Sequence, residues 1–375
     1  MYLQVLLRTC FGNLLIKRWH IRLRYNALGV VTTNILDALN RVTQVQFADG
    51  TKVFTGFDAV GRRVAETNQD NIVTRFGYDG AGKLIAVTNA FGVSGQQTVT
   101  RYEYDEAGNQ TAQIDALNRT NRYAFDNMGR RISHTMPDTT RVETFGYDIS
   151  GNLIRYTNFN GVIITNHYDV LNQLTNRSSV GGYNISYKYS VNGQRTNMTD
   201  LSGATAYTYD LRDRLTNKVV TLTGAGAPSL ALNYRYDVGG NLTNIWSATS
   251  SGVTNFYQYD PLSRLTNVLG RDSVSAGYNF DGIGNLRVIR YGSGVTNLYQ
   301  YDRLNRLTNV LWKTSATTPV TLGSFYYKLG LSGMRTNLDE TLNGTRSYAW
   351  QYDARYRLTN VKGSLLTIYT NPAVR

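Results

Sequence analysis

The sequence is poor in the residues that carry most small-site chemistry. Its 375 residues include one cysteine, Cys10, which excludes internal disulfides and offers no cysteine framework for a metal. The redox compartment stays open, because a large sheet assembly does not depend on disulfides. The three histidines, His20, His134 and His167, lie far apart with no metal-ligand spacing between them. No apolar run approaches the eighteen or so residues of a transmembrane span. Leu3–Leu7 is a short apolar stretch with no basic residue ahead of it, and Arg8 interrupts it, so no secretory signal peptide is expected. Proline is scarce, at five residues, which leaves little to interrupt a run of strands.

Charge is less informative than its size suggests. The net charge is +13, but residues 1–24 contribute five of it through Arg8, Lys17, Arg18, Arg22 and Arg24, with no acid. The remaining +8 is spread along the chain, mostly as arginines that follow putting-down points of a recurring turn, such as Arg264 and Arg306. That spread predicts a solvated sheet surface rather than a nucleic-acid groove.

What is abundant is glycine, at 35, and tyrosine, at 28, and both fall in a pattern. YQYDRLNRLTNV at Tyr299–Val310 recurs as YQYDPLSRLTNV at Tyr257–Val268 and as WQYDARYRLTNV at Trp350–Val361. Such repetition marks an array built from one supersecondary unit. The anchors are Asp37, Asp58, Asp79, Asp105, Asp126, Asp148, Asp169, Asp210, Asp237, Asp260, Asp281, Asp302 and Asp353, with Ser190 and Lys328 at the equivalent place in two degenerate copies. The period is near 21 residues.

Each unit reads as a β-hairpin. Tyr299-Gln300-Tyr301 alternates as a half-buried strand. Asp302 then closes a four-residue turn by accepting backbone N–H groups ahead of it. Three positions beyond the anchor stands Gly61, Gly82, Gly108, Gly129, Gly151, Gly193, Gly240 or Gly284, or else Asn40, Asn172 or Asn305. Glycine and asparagine share a tolerance of the left-handed conformation. Asp213, Ser263 and Tyr356 depart from this rule and predict weaker hairpins. Leu307–Val310 resumes as a second strand, and strands of about seven residues would be about 23 Å long at about 3.3 Å per residue.

The Tyr-Asp-x-x-Gly-Arg-Leu-Thr pattern over about residues 25–361 resembles the YD repeat of the RHS/YD-repeat family, which includes bacterial Rhs proteins, toxin-complex B/C components and teneurins. The resemblance implies an all-β fold in which tandem YD-repeat hairpins form a long spiralling antiparallel sheet, part of an open or hollow shell. It further implies a non-enzymatic structural role, secreted or at the cell surface, enclosing or presenting a polypeptide cargo or toxin domain that this chain does not contain. Bacterial members close with an Asp-Pro-containing core-end segment; Asp260-Pro261 sits inside an ordinary repeat and does not match it.

Three parts are expected: an unmatched segment at 1–18, the array at 19–361, and a remnant strand at 362–375. Trp19, Ile21, Leu23 and Tyr25 alternate as an amphipathic strand leading into Tyr25–Gly29, a worn copy of the unit. Phe47–Thr51 reads as a turn on the opposite side of the sheet, and Asp115–Arg119 as a related half-unit. Phe91–Thr98, Leu222–Leu230 and Lys313–Thr321 read as extended loops.

No catalytic, cofactor or metal residue emerges. Gly77–Lys83 has phosphate-loop spacing, but Leu84 stands where a hydroxyl should hold magnesium, and the segment coincides with a Tyr-Asp turn. Gly282-x-Gly284 is likewise a repeat turn. Equivalent aspartates at equivalent turns have a structural cause, whereas acid–base catalysis needs one specific pair. The tyrosine stripe is the one feature that suggests binding. It reads as cross-strand aromatic pairs, with stacking on surface glycans as the alternative.

Overall fold

The computed structural model describes residues 20–363 apart from 225, 227, 250, 251, 272–274 and 343. The segment 1–18, with Cys10, and most of the expected 362–375 strand lie outside them. The described residues form 31 strands in one sheet, without a helix. Wherever the register is defined, each strand pairs antiparallel with the next in sequence, from His20–Tyr25 on Val31–Leu36 to Arg346–Tyr352 on Leu358–Gly363.

The Asp302 hairpin shows how the sequence makes the unit. Val295–Tyr301 pairs with Leu307–Thr314. The Asn305 N–H donates to the Asp302 carbonyl and the Asp302 N–H to the Arg306 carbonyl, while Asp302 Oδ1 accepts from the N–H groups of Leu304 and Arg306 at 2.8 and 3.0 Å. Asn305 sits at φ 60°, a type I turn closed by a left-handed residue. One step into the ladder the register slips: Tyr301 faces Leu307 but Gln300 faces Asn309. Thr308 is the extra residue of this bulge, and its hydroxyl donates to the Gln300 carbonyl at 3.2 Å. The Thr of the repeat is therefore a bulge residue, as Thr216, Thr243 and Thr359 also show.

Three expectations change. Tyr25–Gly29 is a turn of the same geometry, with Gly29 at φ 74°, but it lies half a period before Asp37 and so occupies the opposite edge of the ribbon. In the degenerate copy the anchor is Gly330, not Lys328. The Gly330 N–H donates to Met334 and the Gly333 N–H to Gly330, because Leu329 takes the tyrosine place opposite Arg335. The insertions lengthen strands as well as loops: Leu215–Leu222 and Ser229–Tyr236 have 8 residues each, and Thr321–Leu329 has 9. Asp213, Ser263 and Tyr356 adopt the left-handed conformation too, at φ 62°, 60° and 59°, so turn geometry overrides residue preference.

The chain divides into two compact units, residues 102–275 and the described parts of 1–101 with 276–375. Among the described residues the only buried apolar ones are Leu36, Ala90, Ala112 and Ile164. Most strand residues are half-buried. Cohesion therefore rests on the backbone ladder and on what happens at the hairpin tips.

Candidate functional site

The Tyr-Asp edge of the ribbon is a continuous tie between neighbouring hairpins. In the Asp126 turn, Arg130 Nε donates to Asp126 Oδ2 at 2.7 Å. The other end of the same guanidinium, Nη1, donates to the carbonyl of Asp148, the next anchor, at 2.9 Å, and the guanidinium lies 4.8 Å from the Tyr147 ring centre. Arg41, Arg62 and Arg214 repeat all three contacts with Asp58 and Phe57, Asp79 and Tyr78, and Asp237 and Tyr236. Charge-assisted bonds of this kind hold both geometry and register.

The tyrosine ties backward. Tyr147 OH donates to the Arg131 carbonyl at 2.9 Å, and Tyr189, Tyr259 and Tyr301 donate to the Leu174, Leu242 and Leu286 carbonyls at 2.7, 2.8 and 2.9 Å. Burial raises the Tyr259 and Tyr301 phenols above their ordinary range. Each tip thus fixes itself through Asp, the preceding hairpin through Tyr and the following one through Arg.

Two expectations from the sequence change here. Six of the post-turn arginines are not solvated surface charge: the Arg41, Arg62, Arg130, Arg214, Arg264 and Arg306 side chains are 24–34% exposed, while Arg357 is exposed at 43%. Nor is the tyrosine stripe chiefly ring against ring. Cross-strand ring pairs exist, such as Phe145–Tyr156 at 5.2 Å, but the repeat tyrosines next to Asp are capped by arginine and bonded to backbone.

Where asparagine or glutamine replaces the arginine, a lighter tie forms. Asn152 Nδ2 donates to Asp148 Oδ2 at 2.9 Å and to Asn172 Oδ1, in the next turn, at 2.7 Å. Gln194 Nε2 donates to Asp213 Oδ1 at 2.6 Å. A correlation in the sequence accompanies these ties. Seven arginines stand at this place, and the six before the last, Arg357, are followed in the next turn by glycine: Arg41, Arg62, Arg130, Arg214, Arg264 and Arg306 by Gly61, Gly82, Gly151, Gly240, Gly284 and Gly333. A Cβ at Gly61 or Gly82 would stand 3.7 or 3.6 Å from Nη1 of Arg41 or Arg62, in contact with the guanidinium, whereas a Cβ at Gly240 or Gly284 would meet nothing within 4 Å.

Within the unit formed by 1–101 and 276–375, two stretches of ribbon meet edge to edge. The Tyr-Asp edge of the later stretch faces the opposite edge of the earlier one. Gly282 lies against Ala27 and Leu28, and Arg306 Nη2 lies 3.9 Å from Asp49 Oδ2. The centre of this seam is Tyr356, whose hydroxyl contacts Asp70 Oδ2 at 2.7 Å, Asn68 Nδ2 at 2.6 Å and Ser332 Oγ at 2.6 Å. Ser332 Oγ also donates to Asp70, and the Ala354 N–H to Gln96 Oε1. Burial, ahead of the contact with Asp70, raises the Tyr356 phenol. A groove of about 620 Å³ runs beside this cluster, lined by Ile72, Met334, Trp350 and Tyr352. Both hydroxyls point at one carboxylate, which makes the cluster a latch between edges. Tyr356 was singled out in the sequence as a faulty turn residue; its partners are 286 and 288 positions away, so no local signal marks them.

His134 is built into a cluster, between Glu143 at 3.3 Å and Asn121 at 3.1 Å and stacked on Tyr123 at 4.8 Å. His167 lies in the strand Ile163–Tyr168 and is exposed. The repeated aspartates are each engaged by their own turn. Among the described residues no group of His, Cys, Asp and Glu could hold a metal ion, and no helix is long and apolar enough to cross a membrane, which says nothing of a β-barrel.

Fold and rim together define a repeat protein of tip-tied β-hairpins, the wall-forming class. The family described as Teneurin YD-shell matches residues 30–271, and the chain belongs to it. A crystal structure of TcdB2-TccC3 superposes over 90% of this chain with a TM-score of 0.77 at 16% identity, and this covers 20% of that chain. A Photorhabdus luminescens Tc holotoxin pore gives a TM-score of 0.75 at 16% identity over 89% of this chain and 19% of its own. In sequence, 118 residues, 30% of this chain, are 30% identical to Double-stranded DNA deaminase toxin A of Burkholderia cenocepacia, of which they cover 8%. The chain therefore spans about a fifth of the structural relatives and less of the curated one. The family and fold assign it a structural role as shell-type sheet.

Proposed function

We propose that the repeat array is a section of a wall that encloses a polypeptide cargo, in a protein that acts outside the cell or at its surface. The observation that carries this reading is the rim. Asp, Tyr and Arg of successive repeats are used to make one ribbon continuous, which is what a wall requires and what a set of independent binding sites does not. Likeness in fold to TcdB2-TccC3 and in sequence to a protein named as a toxin supports the nature of the cargo. Glycan recognition gains no support, because the repeat tyrosine hydroxyls are bonded to backbone carbonyls and their rings are half-buried.

A photo-reactive residue at Tyr299 or at Gln300 tests the proposal in the protein made by its own cells. Adjacent strand residues face opposite sides of a sheet. A wall gives cross-links to a polypeptide from one of the two positions. Equal yields from both, or none from either, would overturn it, and glycan-array binding lost on Tyr299→Ala would install the alternative.

A further inference from the structure

A second groove, of about 470 Å³, lies along the same seam, between the turn that follows His20–Tyr25 and the Asp302 turn. Three guanidiniums line it, those of Arg24, Arg303 and Arg306, and no carboxylate among the described residues does. Arg306 is already taken. Its Nε donates to Asp302 Oδ2 at 2.6 Å, its Nη1 to the Gly330 and Leu331 carbonyls at 3.1 and 2.8 Å, and its Nη2 lies 3.9 Å from Asp49 Oδ2. The acids nearby are taken as well. Asp49 Oδ1 accepts from the Thr51 N–H and hydroxyl, Asp302 Oδ1 from its own turn, and Asp70 is held by Ser332 and Tyr356. Arg24 and Arg303 are exposed and have no ion-pair or hydrogen-bond partner among the described residues. Asn26 adds a donor: its Oδ1 accepts the Leu28 and Val30 N–H groups at 3.0 Å, which leaves its NH2 for the groove.

We infer that this groove binds a small organic anion, a phosphate monoester or carboxylate carried on a flat apolar body. The uncompensated charge selects the class. Two unpaired guanidiniums at one cavity repel each other, and an anion between them removes that cost, whereas a neutral or cationic ligand leaves it in place. The planar fork of arginine pairs with either head group through two hydrogen bonds. The rest of the lining includes Tyr25, Phe47 and Leu304, which suit an apolar body, and the volume is that of a small-molecule site. Arg24 belongs to the earlier stretch of ribbon and Arg303 to the later one, so the anion bridges the two edges. Both arginines are in reach only while the seam is closed. The ligand therefore acts as a clasp, stabilising the closed seam by binding to it alone.

Isothermal titration calorimetry of the full chain with naphthyl phosphate and with naphthoate tests this without reference to any cargo. At least one of the two should bind at a single site, the tighter naming the head group, and the neutral naphthalenemethanol should not bind. Arg24→Gln and Arg303→Gln should each weaken binding about tenfold or more. Arg122→Gln, on the strand Thr120–Phe125 of the other unit, should leave it unchanged. The bound probe should also raise the thermal midpoint of the unaltered chain but not that of Arg24→Gln. All three arginines are exposed, and circular dichroism checks that the variants stay folded. No binding of either anion up to about 1 mM, or binding that is indifferent to Arg24 and Arg303, would overturn the inference. So would equal losses in all three variants, the mark of a diffuse basic surface.

Discussion

At the scale of the residue, the left-handed turn position separates strain from use. Ser263, at φ 60°, bears a conformation that costs an L-residue about 1–2 kcal/mol. Ser263→Gly should therefore raise stability by about 1 kcal/mol in a urea titration. Gly129→Val should lower it by more than Ser263→Val does, since a Cβ at Gly129 also comes within 3.3 Å of Asn109 Oδ1. Tyr356→Gly should have the opposite sign to Ser263→Gly, because relief of the same backbone strain is outweighed by loss of the contacts to Asp70, Asn68 and Ser332. A rise in the midpoint would show that the latch does not stabilise. Tyr301→Phe removes one hydroxyl bond and should cost about 1 kcal/mol. The anchors set the acid limit. The Arg214 side chain, followed by backbone N–H groups of Arg214 and Arg212, holds the Asp210 carboxyl down at about 2. The side chains of Arg41, Asn152 and Asn241 lead in lowering Asp37, Asp148 and Asp237. A depressed folded pKa gives stability that is complete above the unfolded value near 4 and is lost as pH falls through the folded one. Urea midpoints should fall between about pH 4 and 2, and less steeply in Asp210→Asn.

At the scale of the hairpin, each unit depends on its neighbours. Arg130→Asn should loosen the Asp148 turn as well as its own, read as faster amide exchange at Ser150 and Gly151. Gly151→Asn alone should also destabilise, because Arg130 crosses that turn. Together they recreate the Asn152–Asn172 pairing, so a double-mutant cycle should show favourable coupling of about 1 kcal/mol. Much of the hairpin was legible in sequence, since its chemistry is local: Asp to its own turn, the left-handed residue three positions on, the alternating strand. Ties to the next hairpin, some 17 residues away, were not. An arginine in such a pattern looks like surface charge until the following turn is seen beside it. The clue was present as the pairing of each post-turn arginine but the last with a glycine one repeat later. The shift from Lys328 to Gly330 was missed because Leu329 fills the tyrosine place and hides the frame.

At the scale of the molecule, an array of equivalent units explains the family membership and the structural role, while the exceptional residues collect where equivalence ends. Tyr356, Asp70 and Asn68 lie in a seam between stretches remote in sequence, and no periodicity could have paired them. Tyr356→Phe with Asp70→Asn should leave amide protection in the Asp126–Asp169 hairpins unchanged while lowering it around 68–72 and 353–357; uniform loss would mean that the seam and the array unfold as one. The seam also imposes a schedule on synthesis. Tyr356 emerges 286 residues after Asp70, a lag of roughly 15–60 s at about 5–20 residues per second. For that interval the early edge is folded and uncovered, so the ribosome's pace, rather than any intrinsic folding rate, decides how long it must be shielded from other nascent chains.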